Sequence, residues 1–148
     1  MKIKAVIFDL ELIELLNGKD NMFNWFLHRG EYVNGSFMPI KTIVLDNELR
    51  NIRARLSENI KPDFIGNARM AGKFLEDAGV KPENTLFVSD SEEHIELCNE
   101  KYRTVLLKPR LESETGAHDT AKCRPRYRAY NFDGLTRIVN LIEYKEDE

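Results

Sequence analysis

The chain has 148 residues, of which 42% are hydrophobic and 32% charged, a globular balance that excludes a disordered or fibrous protein. Its 22 basic and 25 acidic residues leave a net charge of −3, too near balance for a general nucleic-acid binder. Two cysteines, Cys98 and Cys123, form neither a disulfide framework nor a CxxC pair, so free thiols in a reducing cytosol are expected.

The elements follow in chain order. Residues 3–8 (IKAVIF) are a continuous β-branched and aromatic run, the pattern of a strand buried on both faces, and Asp9 cuts it too short for a signal peptide or membrane span. Met22, Phe23, Phe26 and Leu27 recur at helical spacing over residues 20–28, and Gly30 ends that helix. Residues 31–39 hold an asparagine-glycine pair and a proline, and read as a loop or hairpin. Lys41–Leu45 is a second strand. Leu49, Ile52, Leu56 and Ile60 keep a helical stripe as far as Lys61-Pro62, where proline stops it. A further helix carries Met70, Phe74, Leu75 and Ala78 and closes at Gly79. Residues 85–88 form the third strand, Ile95 and Cys98 sit on the next helix, and residues 104–107 form the fourth strand. Residues 109–121 are a long exposed loop, residues 126–130 a candidate fifth strand, and residues 135–142 a final helix.

Strands alternating with helices of this length predict an α/β protein: a three-layer sandwich with a mostly parallel, Rossmann-like sheet in one domain, residues 1–148, without a separate cap. Ligands of such sheets gather beyond the carboxyl ends of the strands. Those ends carry Asp9 and Glu11, then Asp46, then Asp90 with Glu92, Glu93 and His94, while Lys61 opens the helix leading into the third strand. Several acids at one edge repel each other unless a cation sits among them, and hard cations such as Mg²⁺ prefer oxygen ligands. The plainer explanation is helix capping, by Asp46 or Asn47 and by Asp90 or Ser91.

These residues resemble the haloacid dehalogenase-like superfamily, mostly Mg²⁺-dependent phosphatases. The first motif there is a hydrophobic strand followed by Asp-x-Asp, here VIFDLE. Later motifs are matched by KPDFIGNARMAGKFLEDAGVKPENTLFVSDSEEHIELC and then KYRTVLL, in order, spacing and punctuation. The resemblance implies Asp9 as the nucleophile that takes a phosphoryl group, Glu11 as general acid and base, and Lys61 as the neutralising cation. It implies Mg²⁺ held by Asp9, the backbone carbonyl of Glu11, and Asp90. Six residues depart from the family pattern: Glu11 replaces aspartate, Leu12-Ile13 replaces Gly-Thr, Asp46 ends the second strand where Ser or Thr is usual, and Ser89 with His94 stands where Gly and an acid are usual. A carboxylate at Asp46 would repel phosphate. Two functions follow as expectations: Mg²⁺-dependent hydrolysis of a phosphomonoester, with an open site suited to large substrates or one enclosed by homo-oligomerisation, or a degenerate member that binds a partner without turnover.

The remaining candidates have plain readings. Cys98 is a small core residue, and His28 and His118 lack metal-ligand spacing. Lys122, Arg124, Arg126 and Arg128 alternate along KCRPRYR, which suits an edge strand with a charged outer face better than a nucleic-acid site.

Overall fold

The computed structural model describes residues 3–9, 20–47, 51–56, 60–108 and 125–146. In chain order the elements are β1 (Ala5–Asp9), α1 (Asp20–Leu27), β2 (Gly30–Val33), β3 (Ser36–Pro39), β4 (Lys41–Leu45), α2 (Ile52–Arg55), β5 (Phe64–Gly66), α3 (Ala68–Asp77), a 3₁₀ turn (Pro82–Asn84), β6 (Thr85–Ser89), α4 (Glu92–Cys98), β7 (Arg103–Leu107), β8 (Tyr127–Ala129) and α5 (Phe132–Glu146). Six strands make one sheet in the order β5-β4-β1-β6-β7-β8, and every neighbouring pair is parallel.

The strand sequences explain the layering. Alternate side chains of a strand point to opposite faces. Val6 and Phe8 of β1 join Val44, Val88 and Val105 on one face, where Phe23 and Phe26 of α1 and Leu135 and Val139 of α5 cover them. Ala5 and Ile7 join Ile43, Phe87 and Leu106 on the other, under Ala71 and Leu75 of α3 and Ile95 of α4. All five residues of β1, β6 and β7 are buried, as unbroken apolar runs demand when helices cover both faces. The expected three-layer α/β sandwich is the observed one. No helix among the described residues is long and apolar enough to cross a membrane.

Residues 31–39 form the hairpin β2–β3 as a separate two-stranded sheet. Asn34 and Gly35 both have positive φ, 53° and 84°, which is what a two-residue hairpin turn of matching twist requires. Gly30 is needed for closeness: a Cβ there would lie 2.1 Å from the Met38 carbonyl oxygen.

The structure departs from the sequence expectation at β5. The run after Lys61-Pro62 is a strand and not the start of a helix. Asp63 fastens it: its backbone N–H donates to the Thr42 carbonyl, and its carboxylate accepts from the Thr42 N–H at 2.8 Å. Of the helix expected over residues 49–60, the described part is Ile52–Arg55. The loop expected at residues 109–121 lies outside the described residues, as do Lys122 and Arg124; Arg126 is exposed, whereas Arg128 is half-buried with its guanidinium 4.6 Å over the Tyr130 ring.

Candidate functional site

Parallel pairing aligns the strand ends. Asp9, the last residue of β1, is level with Ser89, the last residue of β6, and Asp46 and Asp90 follow β4 and β6 directly. Three strand-end acids therefore share the carboxyl edge of the sheet, beside its central strand.

Asp9 is buried, at 7% exposure, and a buried carboxylate needs hydrogen-bond donors. Two reach the same oxygen. The Ser89 hydroxyl donates to Oδ2 at 2.9 Å, and His94 Nδ1 lies 2.6 Å from it. Ser89 also accepts from the Ser91 backbone N–H at 3.0 Å, so one hydroxyl ties the acid to the turn that follows β6. A longer contact from the same hydroxyl to the Ser91 carbonyl, at 3.4 Å, competes for its single proton, and the shorter bond to the carboxylate is the stronger. His94 is delivered by α4, whose first turn Ser91 caps by accepting from the His94 N–H. Among the described residues, neither Asp9 Oδ1 nor His94 Nε2 takes part in a hydrogen bond.

The other acids and their neighbours include caps. Asp46 Oδ2 accepts from the Ile52 N–H at 3.3 Å, at the start of α2, and Asn47 accepts from the Ala68 N–H at the start of α3. The capping explanation thus holds for Asp46, Asn47 and Ser91.

Lys61 is not brought to Asp9. Because β5 intervenes, Asp63 is already level with Thr42 and Val6, three residues and roughly 10 Å below Asp9 along the strand direction, and Lys61 precedes it. Lys61 lies exposed at the amino edge of the sheet. At the carboxyl edge Lys108 follows β7 and lies 3.8 Å from Glu92. Its signal in the sequence was its place immediately after a buried strand. Glu11 lies outside the described residues.

Among the described residues, no group of three or more His, Cys, Asp or Glu side chains is arranged to hold a metal ion. Mg²⁺ needs fewer protein ligands than that, one or two carboxylates completed by water and substrate phosphate. Asp9 through Oδ1 and Asp90 from the neighbouring strand end supply that donor chemistry, while Oδ2 is already engaged by Ser89 and His94. Cys98, one turn beyond His94 on α4, has its thiol pKa raised, chiefly by burial and secondly by the negative charge of Asp9, against a lowering contribution from Lys101.

A cleft of about 160 Å³ opens at the opposite edge, beneath the β2–β3 hairpin, with Ile3, Met38 and Ile40 as apolar lining and Lys41 and Glu143 among its polar residues. Its lining holds no carboxylate–histidine pair like that of Asp9 and His94. The chain matches no family model, no curated protein and no solved structure in the comparisons made with each.

Proposed function

We propose that the chain is a phosphohydrolase of the haloacid dehalogenase-like kind, cleaving a phosphomonoester with Mg²⁺ through an aspartyl phosphate formed on Asp9. The observation that supports this reading is the buried Asp9 at the carboxyl end of the central strand, held on one oxygen by Ser89 and His94 with the other oxygen left for chemistry. In the form that the family resemblance implies, Oδ1 of Asp9 attacks phosphorus and makes an aspartyl phosphate that water later splits. Asp9 and Asp90, with the carbonyl of Glu11, are the residues that would hold Mg²⁺, and the ion would supply positive charge for the transferring phosphoryl oxygens. His94 orients Asp9, and Lys108 adds positive charge at the same edge. A phosphorylated substrate, and the reducing cytosol suggested by the free Cys98, complete the reading.

One observation favours the second reading, a binding module without turnover. His94 Nδ1 and Ser89 occupy the carboxylate oxygen that a metal would otherwise share, and Lys61 lies at the far edge. A screen of phosphate esters with and without Mg²⁺, with Asp9→Asn as control, separates the two. Mg²⁺-dependent release of phosphate that Asp9→Asn abolishes supports the hydrolase; binding of phosphorylated ligands without release supports the module.

A further inference from the structure

The cleft beneath the β2–β3 hairpin lies at the amino edge of the sheet, opposite Asp9, and its walls differ in kind. Ile3 and Lys4 lead into β1 and Ile40 and Lys41 into β4, so one wall is made of strand starts. The hairpin is the other. Glu31 pairs with Met38 and Val33 with Ser36, and strand alternation puts Glu31, Val33 and Met38 on the face that lines the cleft. Val33 and Met38 are still 45% and 48% exposed, so this wall keeps apolar surface in water that a seated ligand would cover. The charges are uneven. Glu143 accepts from Arg29 at 2.8 Å and Glu31 faces Lys4 at 3.9 Å, so both acids of the cleft have a cation. Lys41 is half-buried in the lining, and among the described residues its ammonium has no hydrogen bond or ion pair. One positive charge is left over among apolar side chains.

We propose that this cleft binds a small monocarboxylate with an apolar body the size of a benzene ring, its carboxylate on Lys41 and its body against Val33, Met38 and Ile40. Size sets the body. The cleft volume of about 160 Å³ is close to the roughly 150 Å³ of an apolar protein cavity that takes up benzene. Charge sets the head. A phosphate ester brings up to about two negative charges at neutral pH, more than one ammonium balances, and a neutral or cationic head leaves Lys41 without a partner. A carboxylate brings one charge and accepts directly from an ammonium donor. The site is independent of the phosphohydrolase reading, which concerns the other edge of the sheet.

The test is a titration of the full ¹⁵N-labelled chain with sodium benzoate at fixed pH and ionic strength, followed by amide chemical shifts. The amides of Val33, Met38, Ile40 and Lys41 should move together and saturate in the millimolar range, the scale for so small a ligand, while those of Ser89 and His94 stay still. Benzyl alcohol, which has the ring without the charge, should bind about tenfold more weakly, the scale of one charge-assisted hydrogen bond in a half-open site. Lys41→Met keeps the apolar stem and should weaken benzoate by a similar factor, whereas Lys41→Arg should retain it. Circular dichroism establishes that both variants fold, and the comparison of benzoate with benzyl alcohol on the native chain decides the matter without them. Equal affinity for benzoate and benzyl alcohol, or benzoate binding unchanged by Lys41→Met, would overturn the carboxylate assignment. Shifts confined to Ser89 and His94, or none at the cleft, would overturn the site. Shifts at the hairpin that grow with protein concentration alone, together with a dimer in sedimentation, would give the cleft to a second copy of the chain and overturn the proposal.

Discussion

Asp9 is the buried carboxylate at the carboxyl end of β1, and its surroundings divide into parts that a sequence displays and parts that it conceals. Its place after an unbroken apolar run marks it as a strand-end acid in a parallel sheet. Nothing local reveals that Ser89, 80 residues away, donates to it, or that His94 turns its ring toward it. His94 reads in the sequence as an acid that has been lost; in three dimensions it is a partner gained. Two measurements follow. Ser89→Ala removes a wholly buried donor to Asp9 and an acceptor for the Ser91 N–H, and should cost about 1–3 kcal/mol in urea unfolding. The Cys98 thiol reports on the Asp9 charge from the other side. Because burial and then Asp9 raise its pKa, less thiolate is present at a given alkaline pH than for an ordinary thiol. In a Cys123→Ser background, Asp9→Asn should shift the pH profile of thiol–disulfide exchange with Ellman's reagent to lower pH and speed the reaction at pH 8. An unchanged profile would mean that the Asp9 charge does not reach the thiol.

At the scale of elements, the long periodic segments were legible and the short ones were not. β1, β4, β6 and β7 declare themselves by four-residue runs of apolar and β-branched side chains, and α5 by its helical stripe. β5 is three residues caught between Pro62 and Asn67, too few to display any period, and its existence depends on tertiary bonds to Thr42. Missing it moved Lys61 from one edge of the sheet to the other, away from the place at Asp9 that the sequence suggested. Asp63→Ala removes the carboxylate that bonds the Thr42 N–H and lies 3.3 Å from its hydroxyl. Loss of about 1–3 kcal/mol is expected, with hydrogen exchange accelerating at β5 before the rest of the sheet. The hairpin makes a sharper prediction. Gly30→Ala drives a methyl group against the Met38 backbone, which cannot yield as a side-chain tip can. Destabilisation of about 1–3 kcal/mol should appear in the thermal midpoint, while Gly35→Ala meets no atom within 4 Å and acts only through its positive φ.

For the molecule as a whole, the strand-and-helix alternation and the carboxyl-edge rule were enough to anticipate three layers and one chemically loaded edge. They did not anticipate how the opposite edge is tied together. There Arg29, between α1 and the hairpin, stacks 4.4 Å over Trp25 and donates to Asn140 and, at 2.8 Å, to Glu143 of α5. A double-mutant cycle of Arg29→Gln and Glu143→Gln should return a coupling of about 1 kcal/mol, as neither partner is fully exposed. A value near zero would make the contact incidental and leave the apolar face alone holding α5 to the sheet.

The placement of β1 at the centre of the sheet also sets an order in time. Its neighbours are β4, which pairs Phe8 with Val44, and β6, which pairs Asp9 with Ser89. Closing a loop of roughly twice the length costs only about 0.6 kcal/mol more, so equilibrium barely registers the distance. Synthesis does: β1 must wait with one flank unpaired until β6 has left the ribosome, and the bond from Ser89 to Asp9 cannot form before then. A chain arrested before residue 85 has β1 with Asp9, the hairpin and β4, yet lacks Ser89 and His94 beside Asp9. Protection of Asp9 is therefore a late event, and a variant that stalls there leaves an apolar central strand exposed on one side, the state in which parallel sheets meet chaperones or each other.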